Sequence, residues 1–231
     1  MNETHKKIVD GASVSHAKAY NRAPAFHGTA MQPAASAQII DGIADQGYAI
    51  VDGFLSPETI SGLAEEAKTL HAQGEMHRAA TGKKNAEQSD NVRGDFIHWI
   101  DDTNPSAKQQ EYLQQMEILR IELNRNFFLG LAELESHFTI YPAGAAYRKH
   151  LDQFKGDNKR QLSCVLYLNQ EWQAADGGQL KLYLDESEEP RHVDIQPLGG
   201  RLVTFLSGRF WHEVLPATRE RMSLTGWFRT R

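Results

Sequence analysis

Tyr141-Pro-Ala-Gly-Ala-Ala-Tyr147-Arg-Lys-His150-Leu-Asp152 opens the part of the chain on which the fold turns, and His212-Glu-Val-Leu-Pro-Ala-Thr-Arg-Glu-Arg221 closes it. Between and around these stretches the apolar pattern is short and β-rich: residues 137–141, 162–168, 179–184, 201–205 and 223–229, separated by Gly and Pro. Helical patterns gather on the N-terminal side instead. Several short strands with helices segregated to one end predict an α+β chain, mainly β, folded as a double-stranded β-helix or jelly roll whose open end holds the site.

Residues two apart on a strand project to one side of a sheet, so His150 and Asp152 are placed to reach one ion together, with His212 as the third ligand. Two imidazoles and a carboxylate on one face of a metal leave the opposite positions open, which is the arrangement of non-haem Fe(II) oxygenases. A structural zinc site draws on several thiols, and the chain has one Cys. Arg221 follows nine positions after His212, with Pro216 and Arg219-Glu220 reading as the turn of a hairpin that aims the guanidinium back at the metal. A guanidinium grips a carboxylate through two parallel hydrogen bonds, which suits a dicarboxylic co-substrate chelating the metal at its other end, such as 2-oxoglutarate. The triad by itself leaves open whether these are ligands or ordinary packed and surface residues.

Beyond the triad, Arg93-Gly-Asp95-Phe-Ile-His-Trp99-Ile, Tyr167-Leu-Asn169, Gly177-Gly178 and Arg221-Met-Ser-Leu-Thr225-Gly-Trp227 occur in order with the two opening stretches. Together they resemble the oxygen-sensing prolyl 4-hydroxylases of the Fe(II)/2-oxoglutarate-dependent family and their bacterial relatives, over roughly residues 39–228. The resemblance implies Fe(II) on His150, Asp152 and His212, and 2-oxoglutarate with its far carboxylate on Arg221 and Tyr167, assisted by Thr225 and by Tyr141. It implies oxidative decarboxylation to succinate and CO2 coupled to C4 hydroxylation of a prolyl residue in a protein, with ascorbate as a reductant. Arg93 and Asp95 would touch the substrate at the end of a loop that closes over it, or form a structural pair steadying that loop. Tyr147 would line the pocket and Trp227 would wall it near the target proline. Bacterial-looking members of this branch act on elongation factor Tu, which makes that protein a candidate partner. The alternatives are hydroxylation of a free amino acid or small metabolite, and a non-catalytic jelly-roll module holding Zn or Mn.

At 231 residues and 40% hydrophobic content the chain can bury a full core, and one domain is the simpler division: an extended or disordered segment over residues 1–35, then an oxygenase domain over 36–231. Support helices are expected within about 36–126 and the jelly-roll core within about 136–231. A formal charge of −5 points away from nucleic acid. With one Cys and neither a signal-type apolar region nor a membrane-length run, the expectation is a cytoplasmic protein with no membrane partner.

Along the N-terminal half, helices are expected over residues 36–46, from a Ser56 cap with Pro57 in its first turn until Gly74, and from Asn104-Pro105 to about Asn126 with Tyr112, Met116, Leu119 and Leu123 on one stripe. Residues 48–51 read as a strand. The polar stretch 73–91 is long for a structureless connection and reads as a lid. Cys164, His98 and His137 read as packed residues, and 185–189 as an exposed acidic turn.

Overall fold

The computed structural model describes residues 33–79, 93–153 and 156–231. Most of the lid stretch expected over 73–91, and nearly all of the N-terminal segment, lie outside the described residues.

In chain order the elements are α1 (Pro33–Gln46), β1 (Tyr48–Val51), α2 (Pro57–Ala72), β2 (His77–Arg78), β3 (Phe96–Trp99), α3 (Ala107–Phe127), β4 (Glu133–Tyr141), β5 (Tyr147–His150), β6 (Arg160–Tyr167), β7 (Leu180–Tyr183), β8 (His192–Ile195), β9 (Leu202–Leu206), β10 (His212–Val214) and β11 (Arg221–Arg229). They form two antiparallel sheets: a seven-stranded one in the order β1-β9-β6-β11-β4-β3-β2 and a four-stranded one in the order β5-β10-β7-β8. This is the jelly roll expected from the strand pattern.

The period of two along the major strands sorts their side chains between two cores. On β11, Met222, Leu224 and Phe228 join Phe138 and Ile140 of β4 and Leu162, Cys164 and Leu166 of β6 against the helices. Tyr141, Val165, Tyr167, Val203 and Phe205 face the other way, toward Leu180 and Leu182 of the minor sheet. The outer face therefore carries the aliphatic helix-packing layer. Polar functional residues are confined to the inner one.

The helices begin where local chemistry stops the preceding chain. Ser56 Oγ accepts from Thr59 N at 3.1 Å and Pro57 opens α2, as expected. For α3 the cap is Ser106, whose Oγ accepts from Gln109 N at 3.1 Å, so the helix starts after Asn104-Pro105 and not on it. The stripe Tyr112, Met116, Leu119 and Leu123 is buried. α1 begins at Pro33, three residues before its expected start.

The strand expected over 48–51 is present as β1, and β2 and β3 join it as strands that the N-terminal half was not expected to supply: β1 pairs with β9 and β3 with β4, covering what would otherwise be open edges of the major sheet. Two further expectations are corrected. β10 and β11 are not a hairpin, since β10 lies between β5 and β7 in the minor sheet and β11 between β6 and β4 in the major one. The turn at Pro216 to Glu220 is thus a crossing between sheets. Finally, β5 stops at His150, so Asp152 lies in the bend beyond it and not on the same strand.

Candidate metal centre and its cavity

Strand pairing brings the two imidazoles together: His212 and His150 are directly opposed across the β10–β5 ladder. Asp152 comes in from the bend. His150 Nε2 lies 3.5 Å from Asp152 Oδ1, and His212 Nε2 lies 3.6 Å from Asp152 Oδ2. One donor atom from each of the three falls within 4.8 Å of the others, the one such cluster among the described residues.

Each imidazole is oriented from behind. His150 Nδ1 lies 2.7 Å from Arg148 O, and His212 Nδ1 lies 3.0 Å from Phe210 O. A carbonyl only accepts, so both Nδ1 atoms carry a proton, and both Nε2 atoms face Asp152. Burial pushes the His212 pKa down to about 4, Asp152 opposing that shift and His150 adding to it, so the ring is neutral at pH 7. Burial alone would raise the Asp152 pKa, but His212, His150 and Ser163 together hold it well below the usual carboxylate range. Neutral imidazoles and an ionised carboxylate are the forms that ligate a divalent ion, so the donor set fits iron.

Facing this cluster is a cavity of about 290 Å³ with Arg221 at its wall. Arg221 is 2% exposed, and among the described residues it makes no ion pair. Its Nε donates to Gly178 O at 2.8 Å, and its guanidinium carbon sits 5.2 Å from the Tyr141 ring centre and 5.0 Å from that of Tyr167. Tyr167 Oη is buried beside Arg221, and among the described residues no hydrogen bond of good geometry reaches it. Gly178, at φ +70, is held to glycine by space as well: a Cβ there would lie 3.2 Å from Arg221 Cδ and 3.1 Å from Trp172. Arg221 lines the cavity with donors to offer a carboxylate, and the Tyr167 ring is buried beside it without itself lining the cavity.

Other expected residues fall around the same space. Tyr141, Thr225 and Trp227 line the cavity, and the Thr225 hydroxyl lies 3.3 Å from Ser223 Oγ. Tyr147 stacks on His150 with ring centres 3.6 Å apart. Arg93 lines the cavity and stands over Tyr147 at 4.8 Å. Asp95, expected at the substrate, is buried and gripped by Arg93 through Nε–Oδ1 at 2.6 Å and Nη2–Oδ2 at 2.8 Å, so it acts on the cavity through Arg93. Asn169 of the Tyr-Leu-Asn motif faces away from the site, where its Oδ1 accepts from Met222 N at 2.6 Å and its Nδ2 donates to Pro197 O at 2.8 Å.

Sequence reasoning missed Ser163, Ser207 and Arg160. Ser163 Oγ donates to Asp152 Oδ2 at 2.6 Å and lies 2.9 Å from Ser207 Oγ, while the Arg160 guanidinium covers Trp227 at 3.6 Å. The available signal was Ser163 itself, a polar residue at an inward position within the apolar run 162–168.

Residues 136–229 match the family model described as the 2OG-Fe(II) oxygenase superfamily. The chain is 44% identical to a Pseudomonas putida prolyl-4-hydroxylase of known structure, covering 85% of this chain and 99% of that one with a TM-score of 0.76. It is 26% identical to a Trichoplax adhaerens prolyl hydroxylase solved with a hypoxia-inducible factor oxygen degradation domain peptide fragment, covering 84% and 88% with a TM-score of 0.75. Human Egl nine homolog 1 is 30% identical over 191 residues, 79% of this chain and 43% of that protein. The chain spans about half the length of such curated relatives. Among the described residues, no helix is long and apolar enough to cross a membrane. On matching sequence, fold and His-Asp-His cluster, the chain belongs to the 2OG-Fe(II) oxygenase superfamily, alongside its prolyl hydroxylases.

Proposed function

We propose that this protein is a cytoplasmic Fe(II)- and 2-oxoglutarate-dependent dioxygenase that hydroxylates a prolyl residue, at C4, within a protein. The carrying observation is the pairing in one cavity of a three-donor metal cluster with a buried guanidinium that, among the described residues, lacks an anion of its own. A buried cation left unpaired is costly, and a co-substrate carboxylate would offset that cost. A plain metal-binding module has no use for such a group.

In this reading His150, Asp152 and His212 hold Fe(II), while Arg221 and Tyr167 bind the far carboxylate of 2-oxoglutarate, with Tyr141 and Thr225 shaping its berth. When bound, iron and 2-oxoglutarate supply the dioxygen-dependent C–H oxidation, 2-oxoglutarate leaving as succinate and CO2. The chain's own part is positioning and exclusion of water, with no side-chain acid or base required. Asp152 serves as a ligand and not as a general base. Arg93, held by Asp95, together with Tyr147 and Trp227 receives the prolyl segment. Elongation factor Tu is the first protein substrate to assay.

Purified protein with Fe(II) and 2-oxoglutarate should release succinate and add the mass of one oxygen atom to a prolyl peptide. Turnover of free proline alone would move the assignment to a small-molecule hydroxylase. Succinate formation that is independent of iron would remove it from this chemistry altogether.

A further inference from the structure

Of the three candidate ligands, Asp152 is the one that no strand holds. His150 ends β5 and His212 begins β10, and their ladder fixes both backbones. Asp152 lies in the following bend, where the ties are side-chain ones: Gln153 Nε2 donates to Arg160 O at 3.0 Å and to Asn158 O at 3.3 Å, and Arg160 Nη1 reaches Asp152 O at 3.4 Å. These hold the bend's backbone and leave the carboxylate torsion undetermined. The group that touches the carboxylate is Ser163.

We infer that Ser163 and Ser207 form a buried hydroxyl relay that positions Asp152 as a one-oxygen ligand; this rests on the metal-centre reading above. Ser163 projects from β6 into the inner layer, while Ser207 follows β9, the strand paired with β6. Both are fully buried. An ionised carboxylate only accepts, so the single hydroxyl proton of Ser163 is committed to Asp152 Oδ2 across 2.6 Å. Ser207 must then be the donor across the 2.9 Å between the two hydroxyls. Proton direction is thus set along the whole chain, Ser207 to Ser163 to Asp152, and each link polarises the next.

The consequence is a division of labour between the two carboxylate oxygens. Oδ2 lies 3.6 Å from His212 Nε2 and has one lone pair engaged by Ser163, whereas Oδ1 lies 3.5 Å from His150 Nε2 and, among the described residues, has no hydroxyl on it. A carboxylate free to rotate could offer both oxygens to one ion and occupy a position that a co-substrate needs. With Oδ2 hydrogen-bonded, Oδ1 is the oxygen left for the metal. Ser163 is a positioning residue in this account, since it acts through Asp152.

The test is Mn(II) binding to the full chain without 2-oxoglutarate or peptide, read by the EPR signal of the free ion, with His212→Ala as the control. Ser163→Ala should raise the Mn(II) dissociation constant roughly 10- to 100-fold. Ser163→Thr, which keeps the hydroxyl, should restore binding, and Ser207→Ala should weaken it by a smaller factor. Wild-type affinity in Ser163→Ala, or a Ser163→Thr variant as weak as the alanine, overturns the relay. Should Ser163→Ala not fold, Ser207→Ala decides, and unchanged binding there refutes the inference. If wild type and His212→Ala bind Mn(II) alike, the metal-centre reading itself has failed, a result distinct from failure of the relay.

Discussion

Replacing Arg221 by Met separates what this residue does for the fold from what it does for the ligand, because the first effect nearly cancels and the second does not. In the free protein the guanidinium is desolvated with no counterion among the described residues, a cost of several kcal/mol per ion. Against it stand one charge-assisted hydrogen bond to Gly178 O, about 1.5–3 kcal/mol, and two ring contacts of about 0.5–1 kcal/mol each. Methionine fills similar volume without the charge. Arg221→Met should therefore unfold within about 2 kcal/mol of wild type when no 2-oxoglutarate is present. Loss of a buried charge pair with the co-substrate should cost about 3 kcal/mol or more, roughly 150-fold in its dissociation constant. At a 2-oxoglutarate concentration about 100 times the wild-type constant, ligand stabilisation should be about 2.7 kcal/mol for wild type and about 0.3 kcal/mol for the variant. Urea denaturation with Mn(II) present in every sample, with and without 2-oxoglutarate, measures both. A variant that loses more than about 4 kcal/mol without ligand would make Arg221 a structural cation. Equal gains from 2-oxoglutarate in both proteins would remove it from the co-substrate site.

His137 is packed between Trp99 and Trp227, and burial, aided by Arg93, pushes its pKa from 6.5 down to about 4. Between those values the unfolded chain binds more protons than the folded one. Its contribution is accordingly complete above about pH 6.5 and lost as pH falls toward 4, on the order of a few kcal/mol, and a His137→Gln variant should flatten that part of a stability–pH curve. Arg93→Ala alone would strand the buried Asp95 carboxylate, so the informative variant is Arg93→Met with Asp95→Asn: peptide hydroxylation should fall while peptide-independent succinate release persists. Equal loss of both would assign the pair to the core site. Asn169→Ala should destabilise by about 2–5 kcal/mol in urea denaturation by orphaning Met222 N–H and Pro197 C=O, yet leave the Mn(II) dissociation constant of the folded protein unchanged.

Local chemistry was legible wherever one short stretch decides the outcome. Ser56-Pro57 announces the start of α2, the stripe Tyr112, Met116, Leu119 and Leu123 marks the buried face of α3, and the short β-rich runs 137–141, 162–168 and 223–229 mark β4, β6 and β11. Elements with little pattern of their own escaped. β8 and β10 span four and three residues, too few to establish a period, and β2 exists because β3 lies beside it.

The amino-acid order by itself determined the candidate ligand types and the β-rich architecture, since residue chemistry and a period of two are local properties, whereas the hairpin expected to aim Arg221 inward does not exist. Tertiary structure decided how they meet. The chain crosses between sheets after Val214 instead of turning back, and Asp152 leaves its strand to be caught by Ser163 from another. A side chain's surroundings are set by strands far away in sequence, and no local pattern encodes which of them becomes its neighbour.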